Sequence, residues 1–310
     1  MTAEIDLGPL VYGTLPMGPL QAGMTPDEGG KLIAGAMELG VKTVDTAEMY
    51  GTYAHIGAAV KSSGRKPLLI TKSHASTAAE ARKHFLRAIK ETGIETIHVA
   101  NVHGARLADP FAERAEVFAE ILKMKDEGLV EHLGLSTHRA AVAENALNHP
   151  EVEVIHPLIN KTGLGIIDGG PERMAAAIKA LGEAGRTIYA MKALAGGNLI
   201  SDALESINYV RALPGVHSVA VGMLSEAEVK ANTALFMANK IDGETWRVLS
   251  GRQRKLAIMK NFCTGCGNCV EACTNDALSL IENVACVDEE KCVLCGYCAA
   301  ACPNFLLRVI

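Results

Sequence analysis

The chain has 310 residues, 49% of them hydrophobic and 21% charged, with a formal net charge of −5. Only 4% are aromatic, so composition offers nucleic acid neither a basic surface nor a row of stacking side chains. No apolar run reaches the ~18 residues of a membrane span and no charged-then-apolar leader is visible, so the expectation is a soluble, cytoplasmic protein with no membrane partner.

From residue 10 onward, short β-branched apolar runs alternate with longer helical patterns. Strands are predicted at 10–14, 42–47, 67–73, 97–103, 131–136, 152–158, 187–194 and 217–222. Helices are predicted between them, for example at 26–40, 77–93, 110–128, 171–185 and 225–240. Several open on Pro, Ser or Thr and close on Gly, because a helix tolerates an imino acid in its first turn and often ends on a left-handed residue. Ser225-Glu226-Ala227-Glu228 reads as a capping box.

Strands alternating with helices imply a parallel sheet, and eight of them over about 250 residues is the pattern of an α/β (β/α)8 TIM barrel. A doubly wound open sheet is the rival. It would carry a G-x-G-x-x-G turn after the first strand, but this chain has Gly13-Thr14-Leu15-Pro16-Met17-Gly18 there. Residues 1–250 are therefore expected to form the barrel, with a helix and linker over 240–260.

Polar residues fall where the strands end, and barrel sites form at those carboxyl ends. They are Asp45, Lys72, His74, His103, Ser136, His138, His156, Asn160 and Lys192. Asp45 and Lys72 stand out, since a charge in a buried strand needs a partner. Ala195-Gly196-Gly197-Asn198 is a Gly-rich turn, and Ser225 opens a helix whose N-terminus can take an anion.

The last stretch, 251–310, is dominated by cysteine. Cys263, Cys266, Cys269 and Cys273 form one C-x2-C-x2-C-x3-C run, and Cys292, Cys295, Cys298 and Cys302 form a second, followed by Pro303. Thiolates at that spacing hold iron–sulfur clusters, and in two-cluster domains the fourth cysteine of each run ligates the other cluster. One [4Fe–4S] centre is thus expected on Cys263, Cys266, Cys269 and Cys302, the other on Cys292, Cys295, Cys298 and Cys273. Structural zinc favours separated pairs, and disulfides favour secreted chains. Cys286 lies outside both runs and reads as a small buried apolar residue. The segment resembles a bacterial two-cluster ferredoxin over 260–310, an expected small α+β domain, with Thr274 where the first run would carry proline.

Val44-Asp45-Thr46-Ala47-Glu48-Met49-Tyr50-Gly51, Ile70-Thr71-Lys72 and Val102-His103-Gly104 resemble the tetrad segments of aldo-keto reductases. Gly13-Thr14 and Gly134-Leu135-Ser136 match further turns of that family, over roughly residues 8–240. The resemblance implies a small-molecule carbonyl substrate, with Tyr50 as proton donor, Lys72 paired with Asp45 to lower the tyrosine pKa, and His103 orienting the carbonyl. It also implies an NAD(P)H cofactor held around Gly13, Thr14, Ser136, Gly196, Gly197, Gly222, Ser225 and Asn232. The chain departs from the family at Thr137 (asparagine expected), His156 (glutamine expected) and Met191-Lys192 (an aromatic expected). Residues 222–228 also lack the expected phosphate-binding cations, and Glu228 would repel a phosphate.

The two redox signatures pull apart, since nicotinamide delivers a hydride and clusters pass single electrons. Either the clusters are the electron source, with their domain near the carboxyl-end face, or they serve structure, docking or regulation. The competing reading is a non-catalytic electron carrier or redox sensor that uses the barrel to dock a redox protein partner.

Overall fold

Eight parallel strands pair in chain order and the first closes on the last: β1 (Leu10–Gly13), β2 (Thr43–Asp45), β3 (Leu68–Ser73), β4 (Ile97–His103), β5 (Val130–Thr137), β6 (Val154–Pro157), β7 (Thr187–Ala190) and β8 (Ser218–Gly222). This is a TIM barrel, seen in a computed structural model that describes residues 5–310, so the first four residues of the expected 1–250 unit lie outside the described residues. Helices α1 (Pro26–Glu38), α2 (Tyr53–Ser63), α3 (Ala78–Thr92), α4 (Pro110–Glu113), α5 (Ala115–Asp126), α6 (Ala140–Asn145), α7 (Gly170–Glu183), α8 (Ala203–Arg211), α9 (Glu226–Ala238) and α10 (Gly243–Ser250) complete this part of the chain.

Alternation along each strand divides two cores. Leu10 and Tyr12 face the helices, whereas Val11 joins Ile70, Val99, Val154 and Tyr189 inside the barrel. Full burial of such an aliphatic side chain is worth ~1.5–3 kcal/mol, so the interior is a filled core rather than a channel.

Three differences from the predicted elements have local causes. β7 stops at Ala190 because the chain turns left-handed at Lys192 (φ 60°) and Ala195 (φ 48°). The helix expected over 110–128 breaks into α4 and α5 at Arg114, whose φ of −130° is not helical. At α9, Ser225 accepts from the Glu228 N–H, but the Glu228 carboxylate turns to Leu224 N and Arg252, so the box is only half made. A complete box closes α1, between Thr25 and Glu28.

The final segment builds two small antiparallel pairs, β9 (Leu256–Ile258) with β12 (Leu307–Val309) and β10 (Leu278–Ile281) with β11 (Val284–Val287), plus α11 (Asn268–Glu271) and α12 (Tyr297–Ala301). Its core is Leu256, Ala277, Leu278, Ala285, Leu306 and Leu307 around cysteines of both runs. Along β11 it is Ala285 that turns fully inward, and Cys286 is only half-buried. No helix among the described residues is long and apolar enough to cross a membrane.

This segment sits on loops that leave the carboxyl ends of the barrel strands. Gln21 Nε2 donates to the carbonyl of Leu294 (3.1 Å), Asn198 Nδ2 to that of Cys292 (2.7 Å), and Arg106 to that of Cys273.

Candidate active site

Asp45 ends β2 and Lys72 projects from β3; both side chains are buried. Lys72 Nζ donates to both Asp45 oxygens (2.6 and 2.7 Å) and to the Thr46 carbonyl (2.8 Å). The Tyr189 hydroxyl adds a donor to Asp45 (3.2 Å) and itself accepts from Asn101 (2.9 Å). Burial pushes the Asp45 carboxyl up and the Lys72 ammonium down, and each is opposed by the charge of the other. A desolvated pair survives only when its hydrogen bonds are this complete.

Tyr50 follows β2 on a short turn that Gly51 ends in the left-handed region (φ 66°). Its ring lies 5.1 Å below Lys72 Nζ and perpendicular to the His103 ring, at 6.2 Å between centroids. Burial is the main reason its phenol is held well above 10, with Tyr297 and Asp45 adding to the rise. The expected lowering by Lys72 is not what this environment yields. All three Lys72 protons are spent on Asp45 and Thr46, so none is left for the phenol. Burial and Lys72 hold His103 well below 6.5, so its imidazole is neutral.

These residues line one cavity that runs across the barrel mouth toward β8 and α9. Gly13, Gly196, Gly197, Gly222 and Asn232 also line it; Thr14, Ser136 and Ser225 do not. The Thr14 hydroxyl ties to the Asp45 carbonyl (3.0 Å), Ser136 to the Val102 carbonyl (3.4 Å), and Ser225 caps α9. His138 and His156 line the cavity, the latter stacked on Tyr189 at 3.7 Å. His74 lies outside, against Glu48 (2.8 Å), and Asn160 braces its own loop through the Leu164 carbonyl.

Several lining residues had no signal in the sequence. Gln21 and Leu294 are two, and Tyr297 is a third, packed on Tyr50 from the last segment. Arg252 and Arg254 reach the cavity from beyond α10, Arg252 pairing with Glu228 at 2.5 Å. Both arginines lie some 25 residues beyond the 222–228 segment, a distance no local pattern reveals.

The cysteines sort into two small cavities. One is lined by Cys263, Cys266, Cys269 and Cys302, the other by Cys273, Cys292, Cys295 and Cys298. None is in a disulfide. Backbone N–H groups of Ala285, Ala277 and Leu306 donate to the sulfurs of Cys263 (3.4 Å), Cys273 (3.2 Å) and Cys302 (3.4 Å). Four soft donors around each cavity, with amides on the sulfurs, fit a [4Fe–4S] cluster.

The buried histidines make a pH prediction. His103 and His156 are held well below 6.5 and His138 down at about 3, by burial first in each case. The unfolded chain takes up these protons near pH 6.5 and the folded one does not. Their contribution is therefore complete above pH 6.5 and lost as the pH falls below it, by up to ~1.4 kcal/mol per unit for each. Between pH 7.5 and 5.5 the barrel should therefore lose stability, read from urea unfolding by fluorescence of Trp246, the one tryptophan. Equal urea midpoints at both pH values would refute it.

A model described as "Aldo/keto reductase family" matches residues 9–199, and one described as "4Fe-4S dicluster domain" matches 262–305. Similar curated proteins include an aldo-keto reductase of Mycobacterium marinum, 27% identical over 156 residues, covering 46% of this chain and 54% of that one. Aldo-keto reductase Rv2971 of Mycobacterium tuberculosis is 26% identical over 154 residues, with the same coverage. The chain spans about half the length of the curated relatives it matches. Among solved structures, aldo-keto reductase AKR11C1 of Bacillus halodurans superposes with a TM-score of 0.61 at 19% identity, over 80% of this chain and 93% of that one. PA4992 of Pseudomonas aeruginosa does so at 0.62 and 23% identity, over 77% and 96%; at such identities the likeness shows the fold alone. With the family match spanning most of the barrel, the chain belongs to the aldo/keto reductase family and carries a 4Fe–4S dicluster domain after it.

Proposed function

We propose that this protein is an oxidoreductase that reduces a carbonyl group, or an activated C=C bond, of a small molecule, with Tyr50 as proton donor. A carbonyl becomes an alcohol by gaining two electrons and two protons. Tyr50 gives its hydroxyl proton to the substrate oxygen and recovers it from solvent; the hydrogen that ends on carbon arrives within the hydride in the nicotinamide reading and as a proton from solvent when the electrons come singly from the clusters. The neutral His103 donates a hydrogen bond to the same oxygen, and the Asp45–Lys72 pair braces Tyr50 from below, with Lys72 Nζ 5.1 Å from its ring centroid. The supporting observation is the protonated, buried Tyr50 in a cavity shared with Lys72 and His103.

We assign Cys263, Cys266, Cys269 and Cys302 to one cluster and Cys273, Cys292, Cys295 and Cys298 to the other, in a domain that begins near residue 251. The clusters, when bound, supply electrons singly. Tyr297 lies between Cys295 and Cys298 in sequence and packs on Tyr50, which favours electron delivery from this side. The second reading, a hydride from NAD(P)H, is favoured by the length of the cavity and by Arg252 and Arg254 at its far end.

Tyr50→Phe tests the enzyme reading. Turnover of a carbonyl panel, assayed anaerobically with chemically reduced clusters and separately with NADPH, should fall by about 10²–10⁴-fold while cluster absorbance is unchanged. Undiminished turnover would refute Tyr50 as the acid; undiminished electron delivery to a partner protein, without any turnover in the parent chain, would favour the carrier.

A further inference from the structure

The amino-end face of the barrel, opposite the tetrad, brings a second set of ligating side chains together. His98 lies second in β4, and Glu131 and His132 lie second and third in β5. The two strands pair there with Ile97 opposite Val130 and Val99 opposite His132, so the three side chains meet at one end of the ladder. One ring nitrogen of each histidine and one Glu131 oxygen lie within 4.8 Å of one another. The two imidazoles stand nearly perpendicular, at 85° and 5.2 Å between centroids.

Glu131 is half-exposed, so the group is open to solvent on its side. Its only side-chain partner among the described residues is His98 Nδ1; no lysine or arginine neutralises it. His98 Nε2 is sealed and unpartnered. Nδ1, on the Glu131 side, is therefore the nitrogen that an ion can reach.

His132 supplies the second, independent observation. Its Nδ1 lies 3.0 Å from Glu153 Oε1, and the other Glu153 oxygen is fixed by Lys125 Nζ (2.5 Å) and the Leu133 N–H (3.2 Å). A carboxylate paired with a lysine only accepts, so His132 Nδ1 carries the proton and Nε2 keeps its lone pair. No group among the described residues bonds that Nε2. A carboxylate that fixes one nitrogen of an imidazole is what aims the other at a metal.

Two imidazole nitrogens and a carboxylate oxygen suit a first-row transition ion rather than Mg²⁺ or Ca²⁺, which favour oxygen throughout. We propose that His98, Glu131 and His132 bind a divalent transition-metal ion of the Zn²⁺ kind, with Glu153 as the residue that positions His132. Ligand atoms around Zn²⁺ stand about 2.0–2.2 Å from it, so the widest separation here must close by at most ~1.5 Å, which rotation of the half-exposed Glu131 supplies. Three protein ligands leave the fourth position to water. The ion ties β4 to β5 and, through Glu153 and Lys125, to the start of β6 and the last turn of α5. That is the face of a barrel where residues serve stability rather than chemistry, and the site is independent of the carbonyl-reductase reading.

The test is anaerobic calorimetry on the cluster-loaded full chain, desalted from EDTA and titrated with ZnCl2 or MgCl2. Zinc should bind saturably at one site with a Kd of about 1 μM or tighter and raise the melting temperature; Mg²⁺ should do neither. X-ray absorption at the zinc edge should show nitrogen and oxygen at about 2.0–2.2 Å and no sulfur at about 2.3 Å, which separates this site from zinc captured by the cysteines. Glu153→Gln should weaken zinc binding about 10–100-fold, and His132→Gln by more, with cluster absorbance and the zinc-free melting temperature confirming that both fold. Should a variant fail to fold, the absorption spectrum of the parent chain still decides. No saturable zinc binding, Mg²⁺ binding of equal strength, sulfur among the ligands, or undiminished binding in His132→Gln would each overturn the proposal.

Discussion

Replacing Lys72 by methionine should destabilise the barrel by about 3–5 kcal/mol and abolish turnover. Methionine fills much of the same volume, so the loss is electrical. Asp45 would remain at 4% exposure with only Tyr189 to donate to it, and the Thr46 carbonyl would lose its donor. The double variant Asp45→Asn, Lys72→Met removes both charges and should regain most of the stability but none of the activity, because the Lys72 ammonium no longer sits against the Tyr50 ring. Lys42–Asp6 is the contrast. Its nitrogen–oxygen distance of 2.5 Å is as short as that of the buried pair, but its side chains are 55% and 67% exposed. Lys42→Met should cost at most about 1 kcal/mol. Urea unfolding of the four proteins at pH 7.5, where the buried histidines contribute nothing to the difference, measures this directly. If Lys72→Met and Lys42→Met came out equal, burial would not be what makes the tetrad pair matter.

What was legible in the sequence was whatever repeats locally. The fourth strand is found at 97–103, as predicted, because Ile97, Val99 and Val102 are buried β-branched residues in a continuous run. Two of the tetrad residues were legible for a related reason, while Tyr50 and His103 took their roles from the family resemblance. Asp45 and Lys72 are charges inside apolar strands, and such charges have few explanations. The cysteine runs were legible because metal ligation imposes a spacing, and the two four-cysteine cavities match the pairing expected of them. What stayed hidden depends on contacts between distant parts of the chain. Tyr297 is 247 positions from Tyr50 and carries no motif of its own. Arg254 looked like one charge in a linker until the fold set it against Gln21 and Gly196. The Gly-rich turn at 195–198 was read for phosphate, yet the reason for one of its glycines lies in the other domain.

Gly196 has φ 73°, and a Cβ built on it would collide with the carbonyl of Val293. Gly185 has φ 78° and open space around its Cβ. Alanine at either position pays the left-handed cost of roughly 1–2 kcal/mol, but only at 196 must the cluster segment also move. Gly196→Ala should therefore displace the loop 292–297 from the barrel mouth. The linker would then lose the Arg254 contacts to Gln21 and the Gly196 carbonyl, and tryptic cleavage after Arg252, Arg254 and Lys255 should accelerate relative to Gly185→Ala. The cysteine cavities are built within the last segment, so cluster absorbance should stay unchanged. Turnover driven through the clusters should fall about 10²-fold, the scale expected when a reacting group is misplaced by about 1 Å, whereas Gly185→Ala should keep nearly all of it. Matching behaviour of the two variants would mean that the seating of the cluster domain on the barrel is not needed for the chemistry. A difference between them would mean that a backbone contact of a single glycine holds the two redox parts of this chain in working register, which is the physical reason this turn has no side chain.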